Sequence, residues 1–219
     1  NYTATWCGPC GSWGAPKIHE LNNMGKVVTI TNHASGDPMY NAALYNSMAA
    51  DRPTGGGIPS FWIGDTKSNN VSVMTTLLAQ SPIAGIDMKT NRVGNEIKVA
   101  SQVKFFAQAT GDFYLSFYML ESGIDGSASA GAYKQNGASD PNYKHDYVLR
   151  SSKTTDVYGE KVVTNPAVNH TIDKSFSMTV DAAWTKEVYV VAILWKFNPQ
   201  GNPSSNIPKY QFVNGFVAK

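Results

Sequence analysis

Two cysteines, Cys7 and Cys10, have the type and spacing best suited to chemistry in this chain. They are three positions apart and lead into a stretch with helical periodicity, so they would lie on the first turn of a helix. The N-terminal end of a helix carries about half a positive charge, which stabilises a thiolate there. Cysteines so placed have thiol pKa values of roughly 3.5–7.5, and the thiolate is the nucleophile. The spacing therefore predicts a redox pair with Cys7 exposed and Cys10 sheltered.

A structural disulfide and a metal site are the alternative interpretations of this pair. A disulfide that closes so short a loop removes little entropy from the unfolded chain, so it would stabilise the fold weakly. Zinc needs a second cysteine pair or histidines at ligand spacing, whereas the four histidines are scattered singly. We therefore predict no metal site, and a copper-handling protein that uses Cys7, Cys10 and His33 is kept as an alternative.

A second signal is the dipeptide Ile58-Pro59, which follows three glycines and opens the apolar segment 60–63. Proline is uncommon at such a place unless it begins or edges a strand. A cis peptide bond here would turn the Ile58 backbone outward and place Pro59 against the cysteine pair.

The two signals together resemble the thioredoxin superfamily. The motif WCGPC at residues 6–10 matches that family's active-site motif letter for letter, and Ile58-Pro59 matches its cis-proline position. The resemblance covers about residues 1–85. It implies thiol–disulfide exchange without an organic cofactor, in which Cys7 attacks and Cys10 resolves the mixed disulfide. It also implies substrate binding by Trp6, Gly8, Pro9, Ile58 and Pro59.

The chain departs from that family in three places. Asn1 stands where the family often has a buried acidic residue that moves protons to and from the resolving cysteine, and Asp37 and Glu20 are candidate replacements. Most of the first family strand is absent from the sequence. No second strand of the usual hairpin is visible after residues 62–63.

The first 85 residues alternate between helical and strand patterns. We expect a helical stretch to about residue 24 with a kink at Pro16, because proline interrupts helical hydrogen bonding. A strand follows at 27–30. Asp37 is the expected N-cap of a helix that ends near residue 50, because Pro38 would then hold the first helical position. A strand at 58–63 and a helix at 71–80 complete this part.

After residue 83 the hydrophobic period drops to two. Apolar residues alternate in several segments, which indicates short antiparallel strands and a β-sandwich; the clearest are 97–107, 113–119, 176–180 and 188–194. The segment 123–141 is rich in Gly, Ser and Ala, so we expect a long surface loop. The predicted fold is a thioredoxin-like α/β domain at 1–84 followed by an immunoglobulin-like antiparallel β-sandwich at 85–219.

This domain order resembles the bacterial outer-membrane 28-kDa protein family, most clearly in residues 143–150 (YKHDYVLR). The resemblance implies a cell-envelope location, in the periplasm or at the outer membrane. A lipid anchor upstream of the sequence would fit that location.

The composition argues against nucleic acid as a partner and against a membrane-spanning segment. The net charge is +2 and 16% of residues are charged, against a typical ~25%. No basic cluster is dense enough to indicate nucleic acid, and no run approaches 18 apolar residues, so we expect no transmembrane segment. The expected partners are protein or peptide thiols and disulfides, together with a redox partner that recharges the pair.

The sequence therefore predicts a thiol–disulfide oxidoreductase. A binding module that uses the same fold as a docking platform, with an inert disulfide, is the competing hypothesis. Access to Cys7 discriminates between them, because a loop or sheet that caps this sulfur would slow its reaction with small thiols.

Overall fold

The computed structural model describes residues 1–218, which form mostly antiparallel sheets and few helices. Short strands and the helices precede residue 84, and longer strands follow it. In chain order the elements are β1 (Tyr2–Thr3), α1 (Ala15–Asn22), β2 (Asn32–His33), α2 (Ala42–Asp51), β3 (Trp62–Ile63), β4 (Thr66–Lys67), α3 (Val71–Leu78), β5 (Ala84–Val93), β6 (Glu96–Phe105), β7 (Asp112–Ser122), β8 (Ile124–Asp125), β9 (Lys144–His145), β10 (Val148–Ser152), β11 (Glu160–Thr164), β12 (Thr171–Thr179), β13 (Glu187–Phe197) and β14 (Tyr210–Ala218).

The helical segment after the cysteines contains a π turn at Cys10–Gly14, immediately before α1. Pro16 lies at the start of α1 and has no N–H to donate to the carbonyl four residues earlier, so regular α-helical bonding is interrupted there. The irregularity expected at Pro16 is therefore present as a wider turn on its N-terminal side, a feature that is frequent at functional sites.

The expected start of α2 at Asp37 is wrong. The helix begins at Ala42, and Asn41 is its N-cap, because the Asn41 side-chain oxygen accepts a hydrogen bond from Leu44 N at 3.2 Å. The Asp37 carboxylate is already occupied by the amides of Thr5 and Met39, so it cannot cap this helix.

The short strands also differ from their expected positions. Residues 27–30 form no strand, and β2 begins two residues later, where it pairs in parallel with β1. The expected strand at 58–63 is reduced to β3, which does form a hairpin with β4. The sequence showed no second strand because β4 is only two residues long and lacks apolar alternation.

Residues 84–218 form two large antiparallel sheets and the two-stranded sheet β8–β9. One large sheet has the strand order β10-β7-β13-β14, with β11 also on β7, and the other large sheet has the order β12-β6-β5. An apolar cluster is built from residues of both sheets, including Val99 and Phe105 from β6 and Phe113, Leu115 and Phe117 from β7. These are the period-two residues of the sequence, and their alternation places them on one face of each strand.

The larger sheet is covered on its other face too. Tyr118 and Leu120 of β7 pack with Val191 of β13, and Leu44 and Met48 of α2 lie against them. This second contact explains why consecutive residues, which point to opposite faces of the sheet, are all buried in the middle of β7 and β13. Helix α2 of the first part therefore covers a sheet of the second part.

Hydrogen bonds and charges join the two parts of the chain as well. Thr31, just before β2, exchanges backbone bonds with Tyr147 and Leu149 at 2.8 and 2.9 Å. Buried Arg52 donates to Asp65 and to the carbonyl of Tyr210 on β14. The division into domains at residues 84 and 85, and the immunoglobulin-like class of the second one, stay predictions.

Candidate functional site: the Cys7–Cys10 disulfide

The two cysteine sulfurs are joined in a disulfide directly after β1. Cys7 precedes the helical segment and is 5% exposed, and Cys10 lies in the π turn and is 2% exposed. Both cysteines are therefore buried, and the expected exposure of Cys7 is wrong. The amide N–H of Cys10 donates to Cys7 Sγ at 3.2 Å. This bond would favour the thiolate of Cys7 once the disulfide is reduced, because a donor stabilises the charged form.

The Ile58–Pro59 peptide is cis and lies against the disulfide. Cys7 Sγ is 3.6 Å from the carbonyl oxygen of Ile58. A Cβ added at Gly14 would be 3.0 Å from Pro59, so glycine at position 14 lets the helical segment approach the proline without displacing it. The structure thus brings Ile58–Pro59 next to the cysteines, as the two sequence signals together predicted.

The other predicted binding residues surround the disulfide. Gly8 and Pro9 form the first helical turn between the two cysteines. Trp6 is 50% exposed, and its Nε1 donates to the carbonyl of Ser35 at 3.2 Å. Trp13 on the following turn is 43% exposed, so an apolar surface flanks the motif on the solvent side. Their roles in binding substrate stay predictions.

Residues 135–137, called the strap below, pack on the motif from the second part of the chain. The Gln135 side-chain amide donates to the carbonyls of Ala4 and Cys7, each at 3.1 Å. The backbone N–H of Asn136 donates to Thr5 O at 2.8 Å, and its side-chain amide donates to Trp6 O at 3.3 Å. The strap therefore provides hydrogen-bond donors for the backbone carbonyls of residues 4–7, at and just before Cys7.

Two glycines allow this close contact. A Cβ at Gly137 would overlap the carbonyl oxygen of Gly8, and a Cβ at Gly11 would overlap the carbonyl oxygen of Asn136. Gly137 also has a φ of +78°, which disfavours other residues. The strap lies within the segment 123–141 that the sequence predicted as a surface loop, and only its glycine content hinted at a close approach.

A buried pair of side chains, His33 and Asp37, lies near the disulfide. His33 Nδ1 is 2.9 Å from Asp37 Oδ2, and both side chains are fully buried. Burial by itself would raise the pKa of Asp37, but hydrogen bonds from His33 and from the amides of Met39 and Thr5 outweigh it and lower that pKa. Asp37 is therefore a carboxylate, and His33 Nδ1 donates to it.

A second buried histidine, His145 on β9, contacts the first. The two rings are edge to face with their centroids 5.5 Å apart. His145 Nε2 lies 2.7 Å from the carbonyl oxygen of Tyr133, which can only accept, so Nε2 carries the proton. Burial, the largest cause, lowers the pKa of His145 to about 4, so this ring is neutral at pH 7.

His145 is expected to make the fold sensitive to mild acid. Its pKa is about 4 in the folded chain and 6.5 unperturbed, so the unfolded chain binds more protons between these values. The free energy of unfolding should therefore fall as pH drops through this window, by about 2 kcal/mol between pH 7 and pH 5. Urea unfolding at both pH values measures this loss.

His145→Gln should remove most of that pH dependence, because glutamine keeps an N–H donor for Tyr133 O but does not titrate. His170→Gln, at an exposed histidine, is the matched control and should keep it. An unchanged pH dependence in His145→Gln would contradict the assignment.

Within residues 1–218, no group of three or more His, Cys, Asp or Glu side chains is arranged to hold a metal ion. None of the helices in this described part has the length and apolar character needed to cross a bilayer.

The fold resembles those of solved structures. No family model and no curated protein matches the sequence. The solved structure of HBP35 of Porphyromonas gingivalis is similar over 99% of this chain and 72% of its own, with a TM-score of 0.74 and 19% identity. Spo0M, a sporulation control protein from Bacillus subtilis, matches 62% of this chain and 48% of its own, with a TM-score of 0.34 and 12% identity, too low to carry an argument. The likeness to HBP35 shows that the two proteins share a fold.

Proposed function

We propose that this chain is a thiol–disulfide oxidoreductase that acts on protein or peptide disulfides through Cys7 and Cys10. The observation that carries the proposal is the Cys7–Cys10 disulfide at the start of a helical segment, with Ile58–Pro59 against it. The disulfide closes a ring too small to stabilise the fold much. The proposed architecture is a thioredoxin-like domain followed by a β-sandwich.

The proposed reaction transfers two electrons from the reduced cysteine pair to the substrate. The Cys7 thiolate attacks one sulfur of a substrate disulfide, which forms a mixed disulfide and releases the other substrate sulfur as a thiolate. The Cys10 thiolate then attacks Cys7 Sγ, re-forms the Cys7–Cys10 bond and releases the second substrate thiolate. A dithiol redox partner restores the reduced pair, and the same steps in reverse oxidise a substrate dithiol.

Substrate would meet the pair across Trp6 and the Ile58 backbone. Trp6 offers an exposed ring beside Cys7, and the Ile58 carbonyl lies 3.6 Å from Cys7 Sγ. A peptide backbone that approaches the sulfur from this side would find both an apolar surface and a hydrogen-bond acceptor. This arrangement supports an extended peptide segment as the substrate, with Gly8 and Pro9 forming the base of its binding site.

The proposed location is the bacterial cell envelope, in the periplasm or at the outer membrane. Disulfides persist in such oxidising compartments and are rare in the cytosol. The low fraction of charged residues, 16%, agrees with an extracytoplasmic protein.

The second candidate function is a redox-inert binding module. The strap favours it, because Gln135 and Asn136 fix the carbonyls of the motif and Cys7 is only 5% exposed. In that case the exposed Trp6 and Trp13 would serve a docking surface, and the disulfide would only shape it.

The reduction of insulin by dithiothreitol distinguishes the two functions. Wild-type protein should accelerate the appearance of reduced insulin, and Cys7→Ser should abolish that acceleration because serine cannot form the mixed disulfide. A wild-type rate equal to that of Cys7→Ser would reject the oxidoreductase and favour the binding module. Circular dichroism of both proteins controls for loss of fold.

A further inference from the structure

A small cavity of about 20 Å³ lies beside Cys10. Cys10 and His33 both line it, together with Thr3 and the residues around β9. A cavity of this size accommodates one water molecule where polar groups surround it. Cys10 and His33 therefore both border a space that can hold one water molecule.

His33 presents a proton-accepting atom to its buried surroundings. Because His33 Nδ1 carries a proton and donates it in a hydrogen bond to Asp37, the neutral ring has its lone pair on Nε2. Nε2 is buried and has no hydrogen-bond partner within residues 1–218. A buried polar atom without a partner is costly in a folded protein, which fits an atom that is used during a reaction.

The other titratable groups that line the cavity are poorer acceptors or lie at its edge. His145 is held neutral with Nε2 donating to Tyr133 O, and burial raises the pKa of Tyr143 to about 12. Asp146 accepts the amide of Gly123 at 2.8 Å. His19 and Lys144 are exposed, so they mark where the cavity meets solvent.

We propose that His33, oriented by Asp37, accepts the proton of the Cys10 thiol through a water molecule in this cavity. The proposal rests on the proposed oxidoreductase function and adds the group that activates the resolving cysteine. Asn1 does not line this cavity, and its side-chain amide cannot carry this proton. The buried His33–Asp37 pair would take over that task.

The S–H bond of Cys10 breaks, and its proton passes through the water to His33 Nε2. The Cys10 sulfur forms a bond to Cys7 Sγ while the bond between Cys7 and the substrate sulfur breaks. The electron pair of that broken bond stays on the substrate sulfur, which leaves as a thiolate. In the reverse direction, protonated His33 returns the proton to Cys10.

The test uses rapid mixing of the reduced protein with an aromatic disulfide, dithiobis(nitrobenzoate), which releases a coloured thiolate at each step. The first phase reports the attack of Cys7, and the second reports the attack of Cys10. His33→Gln keeps an N–H donor for Asp37 but has no basic atom. At pH 7 it should slow the second phase about 100-fold, as loss of a general base does, and leave the first phase within about twofold.

The pH profile separates proton transfer from a structural effect. At about pH 10 an ordinary thiol ionises without help, so the second phases of His33→Gln and the wild type should converge. His145→Gln, which changes a neighbouring histidine of the same cavity, should keep the wild-type second phase at pH 7. A His33→Gln second phase equal to wild type at pH 7, or still slow at about pH 10, would overturn the proposal.

Two further results are informative. If wild-type protein gives no first phase, the proposed function fails and this proposal fails with it, whereas a normal first phase with an unaffected second phase rejects only the role of His33. If His33→Gln does not fold, the wild type in D₂O decides. A second phase slowed in D₂O supports the proton transfer, and an unchanged one overturns it.

Discussion

Cys10→Ser is expected to hold substrate on Cys7 as a mixed disulfide and to lower turnover at least about 100-fold. Serine has no thiolate with which to attack Cys7 Sγ, so the intermediate cannot resolve within the protein. The change keeps the backbone N–H of residue 10, which donates to Cys7 Sγ at 3.2 Å, so the nucleophile keeps its donor. The attacking step should therefore survive while the resolving step is lost.

Non-reducing electrophoresis after incubation with a peptide disulfide measures the trapped adduct. Cys7→Ser is the matched control, since it also leaves a single sulfur and should trap little. The difference depends on position: Cys7 lies before the helical segment beside Ile58, whereas Cys10 lies inside the π turn and lines the buried cavity. Stronger trapping by Cys7→Ser than by Cys10→Ser would reverse the assigned roles.

The centre of this site was predictable because its signals are local in sequence. The WCGPC motif fixes a cysteine pair at a helix start, and Ile58-Pro59 marks a second short segment. The structure joins these cysteines in a disulfide and has a cis peptide bond at Ile58–Pro59. Predominantly β structure after residue 84 was predictable too, since β6 alternates buried and exposed residues along its whole length.

The surroundings of the site were not predictable in this way. The Gln135 side chain donates to the carbonyls of Ala4 and Cys7, about 130 positions away in sequence. The residues next to Gln135 do not indicate that it has these partners. Likewise, Asp37 with Pro38 has the local pattern of an N-cap, but its carboxylate is taken by Thr5 and His33. A tertiary contact outweighed a local preference in both cases.

Burial on both faces of the larger sheet was missed for a related reason. Tyr114 and Tyr118 of β7 have the polar edge expected of solvent-facing positions, yet both belong to a second core against the first part of the chain. Tyr118 is fully buried, and its hydroxyl donates to the carbonyl of Val157. A hydroxyl that finds an acceptor can enter a core, so tyrosine does not reveal which face it occupies.

The strap, residues 135–137, packs on the cysteine motif through Gln135, Asn136 and Gly137. Gly137→Ala tests how much this packing contributes to stability. We expect this change to lower the free energy of unfolding by about 3 kcal/mol. About 1 kcal/mol comes from placing a Cβ at a φ of +78°, and the rest comes from overlap with the carbonyl of Gly8. Urea unfolding followed by tryptophan fluorescence measures it.

Gly131→Ala separates the two contributions, because Gly131 also has a positive φ, +60°, but a Cβ there meets nothing within 4 Å. That control should lose only about 1 kcal/mol. Gly11→Ala tests the same contact from the helical side: alanine in an open helix stabilises by about 1 kcal/mol relative to glycine, yet here its Cβ would overlap Asn136 O. Destabilisation by Gly11→Ala would therefore show that the strap rests on the motif in solution. Equal losses for Gly137→Ala and Gly131→Ala, with a gain for Gly11→Ala, would mean that the strap is detached and that Cys7 is open to substrate on this side.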